Sequence, residues 1–333
     1  MNFIDERVIK VGETEVLNFL PRRGINNVKQ EILAGLTSPQ KYISPKFFYD
    51  KKGSELFNAI TQLKEYYPTN CEKEILSSIV SRLNIDLRNI DIIELGSGDS
   101  SKISSIFRQI APDILSTITY YPVDISQSAI SNAIQGITER FELRKITGIV
   151  ADFHHQLDLI PNKDKRLFCF LGSTIGNFSK REVDNFMTEL GASMNKGDGF
   201  LLGVDMVKDT RVINAAYNDS KGITAQFNKN ILNVINHHTQ SDFNPDNFEH
   251  LAYYNDEQQR IEMHLQSTIP QTIMLNNNQL SITLGKGETI HTENSYKYTI
   301  DKLKQIGEMG GMRIGGLYSD AKEWFNLVYF VKG

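Results

Sequence analysis

The residues of this chain best suited to chemistry lie at 94–98, where the sequence reads Glu-Leu-Gly-Ser-Gly. The apolar, β-branched residues at 90–95 predict a buried parallel strand, and helical sequence begins at about Ser101. Gly96 and Gly98 would let the loop backbone approach a ligand closely, with free N–H groups of the following helix facing it. This arrangement is typical of sites that bind nucleotide-like cofactors.

Neither common phosphate-binding loop fits this stretch. A dinucleotide site needs Gly-x-Gly-x-x-Gly, and Ser101 occupies the third glycine position. A P-loop needs lysine after its last glycine, and Gly98 is followed by Asp99. An acidic loop suits a cofactor with a cationic end and would repel a pyrophosphate. Residues 94–98 resemble the first motif of Rossmann-like methyltransferases that use S-adenosylmethionine (SAM); an ordinary glycine turn is the alternative.

Acidic residues follow two more of the strand-like runs. Asp124 ends the run at 117–123, about where a ribose-binding acid is expected, and Asp152 ends the run at 146–150. Asp152 and Phe153 could together hold an adenine amine and cover its ring. Because ligands of an open parallel sheet lie outside the carboxyl ends of its strands, we expect these residues near the glycine loop. Helix capping is the alternative, with an N-cap at Asp124 or Ser126 in the first case and at Asp152 in the second.

Several other kinds of chemistry are disfavoured. The run that ends at 171 continues as Gly-Ser-Thr-Ile-Gly-Asn-Phe, without the [Asp/Asn]-Pro-Pro-[Tyr/Phe] motif of adenine or cytosine amino-methyltransferases. The net charge of −4 and the scattered lysines and arginines also argue against nucleic acid as a partner. Cys71 and Cys169 are far apart, which disfavours a disulfide scaffold or a zinc site. The adjacent pairs His154/His155 and His237/His238 cannot face one metal.

Alternating strand and helix patterns position these residues. Strand-like runs at 90–95, 117–123, 146–150, 167–171 and 199–204 enclose helical runs at 101–110, 127–138 and 180–194. This order predicts a parallel sheet wrapped by helices. A long helical run at 215–236 and strand-like pieces at 260–283 follow, and this part is too long for a loop, so it predicts an inserted second module. A helix at 303–307 and strands at 312–314 and 324–331 return to the sheet.

The remaining segments and the bulk composition complete the expectations. Residues 28–36 predict a short helix, and Pro68 interrupts helical sequence. With 333 residues, 40% hydrophobic and 23% charged, the chain can fill one large domain or two ordinary ones. No basic start precedes an apolar run, and no stretch approaches the ~20 apolar residues that a membrane span needs. We expect a cytoplasmic monomer without a membrane or nucleic-acid partner.

Short motifs run in order along most of the chain. They are Phe-Tyr-Asp at 48–50 with Gly-Ser-Glu-Leu-Phe at 53–57, Glu-Tyr-Tyr-Pro-Thr at 65–69, Glu-Leu-Gly-Ser-Gly at 94–98, Gly-Ser-Thr-Ile-Gly-Asn-Phe at 172–178, Ala-Tyr-Asn-Asp at 216–219, Gly-Ile-Thr-Ala-Gln-Phe-Asn at 222–228, Arg-Ile-Glu-Met at 260–263 and Thr-Glu-Asn-Ser at 292–295. Together they resemble the L-histidine Nα-methyltransferase family of ergothioneine biosynthesis.

This resemblance implies the fold class and the reaction. The fold would be α/β, with a Rossmann-like class I SAM methyltransferase core at 71–204 and 294–333. A second, substrate-binding domain would be formed by the N-terminal segment 1–70 and a late insertion at 205–293. Enzymes of the family move up to three methyl groups, one per SAM, onto the α-amino group of free L-histidine, giving hercynine. A related N-methyltransferase for another aromatic amino acid or a small amine is the alternative.

The resemblance also implies roles for single residues. The cofactor SAM would be bound by Glu94, Gly96, Gly98, Lys102, Asp124, Asp152 and Phe153. The substrate L-histidine would be bound by Tyr66, Asn177, Tyr217, Glu293 and Ser295, with Phe57 and Met263 shaping the pocket. Tyr49 would lie near the amine, and Tyr49 and Asn177 are the catalytic candidates. Taken singly, Glu293 is more typical of a surface charge, and Tyr66, Tyr217 and Met263 of core packing.

Each assigned side chain has suitable chemistry. Asn177 can donate to and accept from an amino acid backbone, and Tyr217 can donate to its carboxylate. Glu293 can accept an imidazole N–H while the Ser295 hydroxyl satisfies the other ring nitrogen. Since a sulfonium methyl group is already activated, rate depends mainly on orientation in a dry site. The group that takes the amine proton, whether Tyr49, water or bulk solvent, stays open.

Two other classes of protein are disfavoured. A dinucleotide-dependent oxidoreductase could use the same glycine loop, but Ser101 and Glu94 count against it. A non-catalytic module with the same fold would be expected to lose the acids at 94, 124 and 152, and all three are present.

Overall fold

The computed structural model describes residues 8–12, 14–20, 25–162, 165–277 and 279–333. Contacts divide the chain into two compact units. The described residues of unit 1 fall within Met1–Pro21, Asn70–Met206 and Tyr298–Gly333, and those of unit 2 fall within Arg22–Thr69 and Val207–Lys297. Each unit is therefore assembled from separate stretches of the chain.

Eleven α-helices form within the described residues. They are α1 (Ile25–Leu36), α2 (Lys51–Ile60), α3 (Tyr67–Leu76), α4 (Ile79–Leu83), α5 (Ser101–Phe107), α6 (Pro112–Leu115), α7 (Gln127–Thr138), α8 (Lys180–Ser193), α9 (Thr210–Tyr217), α10 (Ile223–Thr239) and α11 (Ile300–Met309). Pro68 lies in the first turn of α3, where proline is tolerated, so the interruption that it predicts is the start of this helix.

Fourteen strands form within the same residues. They are β1 (Val8–Val11), β2 (Thr14–Asn18), β3 (Ile90–Leu95), β4 (Thr119–Asp124), β5 (Lys145–Val150), β6 (Lys165–Phe170), β7 (Gly199–Asp205), β8 (Phe248–Asn255), β9 (Arg260–Ser267), β10 (Gln271–Leu275), β11 (Leu280–Leu284), β12 (Thr289–Tyr296), β13 (Met312–Ser319) and β14 (Phe325–Lys332).

The sheet of unit 1 contains nine of the described strands in the order β1-β2-β5-β4-β3-β6-β7-β14-β13. Strands β3 to β7 are parallel to their neighbours among these five, whereas β14 is antiparallel to β7 and to β13. The chain winds outward from β3 through β4 to β5 and then returns to β6 on the other side of β3. The carboxyl ends of β3 and β6 therefore form a topological switch point, and the predicted doubly wound α/β fold is confirmed.

Burial explains why the core elements form where they do. Every residue of β3 is buried, as expected for the central strand of a parallel sheet covered on both faces. Helix α7 buries Ile130, Ala133, Ile134 and Ile137, which share one helical face. The Ser126 hydroxyl accepts the N–H of Ala129 and caps the start of α7. The core of unit 1 thus follows directly from the apolar periodicity.

The start of the chain differs from the expected domain division. Strands β1 and β2 form an antiparallel hairpin, and β2 is parallel to β5. Val16 of β2 packs with Ile130, Ile134 and Val150 in one apolar cluster. Strands β1 and β2 therefore belong to the sheet of unit 1, although the sequence reasoning grouped them with 1–70 in the second domain. Two strands of four and five residues carry too little alternation to predict this pairing.

Unit 2 contains a three-stranded antiparallel sheet in the order β12-β9-β8 and the hairpin β10-β11. The helix predicted at 215–236 is two helices, α9 and α10. Gly222 takes a left-handed φ of +68°, and the Asp219 carboxylate accepts the N–H groups of Ile223 and Thr224 at 2.9 and 2.8 Å. Both features belong to the start of α10, whereas α9 already ends at Tyr217 with Asn218 as its C-cap. The sheet also extends beyond the predicted 260–283 in both directions.

A buried ion pair in unit 1 is expected to contribute to the stability of the fold. Arg166 of β6 and Asp198 are both almost completely buried, and the guanidinium donates to Asp198 Oδ2 from Nε at 2.9 Å and from Nη2 at 2.8 Å. We expect Asp198→Ala to lower the free energy of unfolding by about 3–5 kcal/mol, because it leaves a buried guanidinium without its charge partner. Urea denaturation followed by circular dichroism measures this change.

The matched control is the exposed pair between Lys145 and Glu15, whose Nζ and Oε2 atoms are 3.0 Å apart. Glu15→Ala should change the same free energy by less than about 1 kcal/mol, since water screens this pair. Equal effects of the two substitutions would contradict the prediction.

Candidate active site

The glycine loop of unit 1 follows β3. Gly96 and Gly98 have φ values of +69° and +49°, where glycine is favoured, so both glycines are required by the backbone. The N–H of Gly96 donates to the carbonyl of Val123 at 2.8 Å, which holds the loop across the end of β4. The Ser97 hydroxyl is buried and has no hydrogen-bond partner within the described residues. A buried hydroxyl of this kind is suited to a polar ligand.

Asp124 ends β4 beside this loop. Its Oδ1 accepts the N–H of Ser126 at 2.8 Å. Burial raises the pKa of Asp124, and backbone N–H groups of Ser126, Gly98 and Ile125 oppose the rise. The N-cap of α7 is Ser126, one of the two positions that the capping alternative offered, so the Asp124 side chain does not itself cap this helix. Its carboxylate lies at the loop, where the sequence predicts a ribose-binding acid.

Asp152 and Phe153 follow β5. Asp152 is half-buried, and its Oδ1 accepts the N–H of His154 at 3.1 Å. The Phe153 ring packs against Phe170 and Phe186, with ring centroids 5.5 and 6.4 Å apart. These contacts fix a carboxylate and an aromatic ring at consecutive positions after β5. Their predicted contact with adenine remains a prediction.

Glu94 is not free in the loop. Its side chain is buried at the end of β3, and the Tyr120 hydroxyl of β4 donates to Glu94 Oε2 at 2.5 Å. Burial raises the pKa of Glu94 to about 8, although the Tyr120 hydrogen bond and the charge of Lys102 oppose this. Glu94 is therefore hydrogen-bonded to the neighbouring strand β4, and the sequence pattern did not predict this contact.

Lys102, at the start of α5, is held by a residue that sequence reasoning missed. Its Nζ lies 3.1 Å from Oε2 of Glu72, a side chain only 2% exposed. Glu72 Oε1 accepts the N–H of Gly172 at 2.6 Å, and a Cβ at position 172 would lie 2.3 Å from Lys102 Nζ. Helical spacing places Glu72 on the same buried face as Ile75 and Leu76, and that was the available signal.

Asn177 ends the 3-10 helix Thr174–Asn177, which follows Gly172 in unit 1. It is half-buried. Glu72 fixes the start of this segment through the N–H of Gly172, so the position of Asn177 depends on the same buried carboxylate.

Unit 2 brings together three of the predicted histidine-binding residues on β12 and the strand opposite. Glu293 and Ser295 are two residues apart on β12 and share a face, and Met263 of β9 is the Cα partner of Glu293. All three side chains are buried. A bulge between His291 and Glu293 sets this register. One face of the sheet therefore presents a carboxylate, a hydroxyl and a thioether.

Hydrogen bonds of the Thr292 side chain hold the bulge in place. The Thr292 hydroxyl donates to Asn228 Oδ1 at 2.7 Å and to the carbonyl of Met263 at 3.0 Å. Asn228 of α10 is completely buried and donates through Nδ2 to the carbonyl of His264 at 2.9 Å. Asn228 lies in the motif at 222–228 but was not assigned a role from the sequence.

A buried lysine completes the cluster. Lys297 is 1% exposed, and its Nζ donates to Ser295 Oγ at 2.8 Å and to the Tyr217 hydroxyl at 3.2 Å. Tyr217 in turn donates to Ser295 Oγ at 2.7 Å. Burial raises the pKa of Glu293 to about 7, and the positive charge of Lys297 opposes this rise. Lys297 was also missed, because the motif match ended at Ser295.

Aromatic rings line the same unit. Tyr49 meets Phe57 edge to face at 5.7 Å, Phe57 meets Tyr66 at 6.3 Å, and Tyr66 meets Tyr217 at 6.3 Å, as measured between centroids. Phe227 of α10 contacts both Tyr49 and Phe57. The structure thus groups the four predicted aromatic residues, together with Phe227, which sequence reasoning did not single out.

Tyr49 is 48% exposed, but its hydroxyl end lies among many protein atoms. This burial, and then the nearby Glu293 and Tyr217, raise the pKa of the Tyr49 phenol. At neutral pH the phenol therefore keeps its proton, so Tyr49 can orient an amine but is unsuited to take a proton from it.

Two further searches concern the described residues only. None of the helices in the described part of the chain is long and apolar enough to cross a membrane. Across residues 8–333, apart from those left undescribed, no group of three His, Cys, Asp or Glu side chains is arranged to hold a metal ion.

The sheet winds in both directions from β3 and has a glycine turn at its switch point, as in the class of Rossmann-like SAM-dependent methyltransferases. Within this class the chain belongs to the family of histidine-specific, SAM-dependent methyltransferases, whose family model matches residues 28–332. SAM is therefore the methyl donor. The orphaned Ser97 hydroxyl and the two left-handed glycines fit such a ligand.

Curated relatives agree with this membership. The chain is 38% identical to the histidine N-alpha-methyltransferase of Mycobacterium tuberculosis over 81% of this chain and 84% of that protein. It is 34% identical to the enzyme of the same name from Mycolicibacterium smegmatis over 92% of this chain and 95% of that protein. An L-tryptophan methyltransferase of Psilocybe serbica is 26% identical over 91% and 92% of the two chains.

The SAM-binding role of Asp124 can be tested by substitution. Asp124→Asn keeps the Oδ1 acceptor for Ser126 but removes the charge, and we expect the Kd for SAM to rise at least about tenfold, as for loss of a charged hydrogen bond. Isothermal titration calorimetry measures this Kd. The control is Asp99→Asn, an exposed acid of the same loop whose Oδ1 accepts the N–H of Ser101. A similar loss of affinity in both variants would contradict the role of Asp124.

Proposed function

We propose that this enzyme methylates the α-amino group of free L-histidine, up to three times, and releases hercynine. The observation that carries the proposal is the buried pair on β12, where the Glu293 carboxylate and the Ser295 hydroxyl share one face beside Met263. A buried carboxylate is costly unless a ligand or protein group satisfies it. An imidazole ring can satisfy both groups at once, because it has two nitrogens at its edge.

In this proposal Glu293 accepts the N–H of the imidazole, and the Ser295 hydroxyl pairs with the other ring nitrogen. Met263 and Phe57 limit the width of the ring pocket. Tyr66 and Asn177 bind the amino acid backbone, where the Asn177 amide can both donate and accept. Tyr217 supports Ser295, since the structure directs its hydroxyl proton to Ser295 Oγ. A ring without two nitrogens leaves Glu293 or Ser295 unpaired, which is the basis for selection.

When bound, SAM supplies an activated methyl group for a neutral amine. The glycine loop, Lys102 and the acids at 94, 124 and 152, with Phe153, are proposed to fix this donor. The protein then needs to orient the amine at near-attack distance and exclude water. Tyr49 is proposed to hold the amine through its hydroxyl. Tyr49 stays protonated because of its raised pKa, so we assign to water the protons lost by the substrate ammonium and by the mono- and dimethylated ammonium products. The trimethylated product has no N–H proton to lose.

The proposed setting is a monomer in the cytoplasm acting on a free amino acid. The chain carries the residues proposed for both ligands, so the reaction needs no second copy. Cys71 and Cys169 are both buried and neither is in a disulfide, which agrees with the proposed reducing compartment.

A related enzyme for another aromatic amino acid is the second candidate, since a relative at 26% identity is named an L-tryptophan methyltransferase. Glu293 and Ser295 favour histidine, because an indole has one ring N–H and no acceptor nitrogen. Incubation with SAM and a panel of free amino acids, read by mass spectrometry, separates the two. We expect products with one, two and three added methyl groups from histidine. Unchanged histidine under saturating SAM would refute the proposal.

Substitution of Glu293 should affect histidine and SAM differently. We expect Glu293→Gln to lower kcat/KM for histidine about 10- to 100-fold, because the ring N–H then faces an amide that is a poorer acceptor. The Kd for SAM, measured by calorimetry, should change by less than about twofold. Equal losses for histidine and SAM would argue for a general structural role instead.

Comparing the pH dependence of kcat/KM in the wild type and in Glu293→Gln isolates the effect of the Glu293 carboxylate. Below its pKa of about 7 Glu293 is protonated and neutral, like the glutamine that replaces it; above this pKa the wild type carries a carboxylate. The ratio of kcat/KM between wild type and Glu293→Gln should therefore rise with pH between about pH 6 and about pH 8. The titrations of histidine itself cancel in this ratio. A ratio independent of pH would exclude ionised Glu293 as the acceptor.

A further inference from the structure

Lys297 is a buried ammonium group beside the proposed ring pocket. It is 1% exposed and follows β12 in sequence. Its Nζ contacts two hydroxyl oxygens, Ser295 Oγ at 2.8 Å and the Tyr217 oxygen at 3.2 Å, and lies 5.0 Å from the centroid of the Tyr217 ring. Burying an ammonium group is costly unless it is paired and hydrogen-bonded. Packing alone therefore does not explain a lysine at this position.

The direction of its hydrogen bonds constrains the hydroxyls. An ammonium group has three donors and no acceptor, so both hydroxyl oxygens must accept from Lys297. Tyr217 also donates its own proton to Ser295 Oγ at 2.7 Å. Ser295 Oγ consequently accepts two hydrogen bonds, which occupies its two lone pairs. What remains for a ligand is the proton of Ser295.

We propose that Lys297 is a positioning residue that makes Ser295 a hydrogen-bond donor to the substrate ring. With Glu293 as the acceptor, the pocket then takes a ring that carries one N–H and one bare nitrogen, which is the neutral form of an imidazole. This inference rests on the proposed function, because it concerns the ring of the same substrate.

The assignment excludes other rings for stated reasons. An imidazolium carries two N–H groups, and one of them would face the proton of Ser295. A pyrrole or indole ring offers an N–H to Glu293 but no acceptor to Ser295. A phenyl ring leaves both groups unpaired. Each mismatch leaves a buried polar group without a partner, and this costs more than the hydrogen bond itself gains.

Lys297→Met removes the charge and the donors while keeping a chain of similar length. We expect the KM for histidine to rise about 10- to 100-fold, as for the loss of a charged hydrogen bond, while kcat changes much less. The Kd for SAM, measured by calorimetry, should stay within about twofold of wild type and also reports that the variant is folded.

The matched control is Lys208→Met. Lys208 lies in the same unit, donates to the Tyr67 hydroxyl at 2.9 Å and lies over that ring at 4.5 Å, so it makes the same kind of contact away from Ser295. The KM for histidine should change little in this variant. Equal increases of KM in both variants would overturn the proposal.

A double-mutant cycle separates positioning from packing. If Lys297 acts through Ser295, Ser295→Ala and Lys297→Met should be non-additive, and the double variant should resemble the worse single variant. Independent, multiplying effects would overturn the proposal. Wild-type enzyme that leaves histidine unmethylated would instead refute the proposed function, so the two failures are distinguishable.

The pH profile gives a second readout that simple packing would not move. The titratable groups that interact with Glu293 are Lys297 and Tyr49, and Tyr217 in turn interacts with Tyr49. The positive charge of Lys297 lowers the pKa of Glu293. In Lys297→Met, the midpoint of the pH-dependent ratio described for Glu293→Gln should move upward. If Lys297→Met fails to fold, Tyr217→Phe serves instead, because it frees one lone pair of Ser295. The ratio of kcat/KM for histidine to kcat/KM for a pyrrole analogue should then decrease, and an unchanged ratio would overturn the proposal.

Discussion

Two opposite charges buried in unit 2 set the main physical constraint on this enzyme. Glu293 and Lys297 are four residues apart in the chain, and both are withdrawn from water. Each charge is costly alone. Lys297 is hydrogen-bonded to the hydroxyl groups of Ser295 and Tyr217, and the charge of Lys297 acts on Glu293. The pKa of Glu293 near 7 shows that this compensation is incomplete. An incompletely satisfied carboxylate is a strong acceptor for an N–H group, and in the proposed complex the energetic cost in the free enzyme would become specificity for the ring.

In unit 1, backbone geometry contributes more than charge to the shape of the proposed cofactor site. Left-handed glycines at 96 and 98 shape the turn, and the side chain of Glu94 faces Tyr120 inside the sheet. Glu72 joins the N–H of Gly172 to Lys102 through one buried carboxylate. The charged groups of this unit therefore mostly hold loops in place. This is consistent with a reaction whose methyl group is already activated and whose rate depends on positioning.

The sequence predicted those parts of the fold that depend on local pattern. Strand β3 and helix α7 have the predicted bounds, because an unbroken apolar run and a serine cap define them without help from distant residues. The hairpin β1-β2 was missed, since its stability comes from pairing with β5 more than a hundred residues later. Glu72 and Lys297 were missed for the same reason. Their importance lies in the partners that folding brings to them, and a single sequence does not display those partners. Motif resemblance did assign Glu293, Ser295, Met263 and the aromatic residues to one substrate. The expected boundary at 293/294 nevertheless put Ser295 in the core, whereas the structure places it with the others in unit 2.

The hairpin β1-β2 also has a consequence for the integrity of the sheet. It precedes residues 28–332, the part that the family shares, yet β2 covers the outer edge of β5. Without it, β5 would present a row of unpaired N–H and C=O groups, a template for pairing with strands of other molecules. A chain trimmed to the shared region would retain every residue proposed for chemistry and still be prone to aggregate. The pairing of β2 with β5 thus favours colloidal stability, because it leaves fewer backbone groups of β5 open to other molecules.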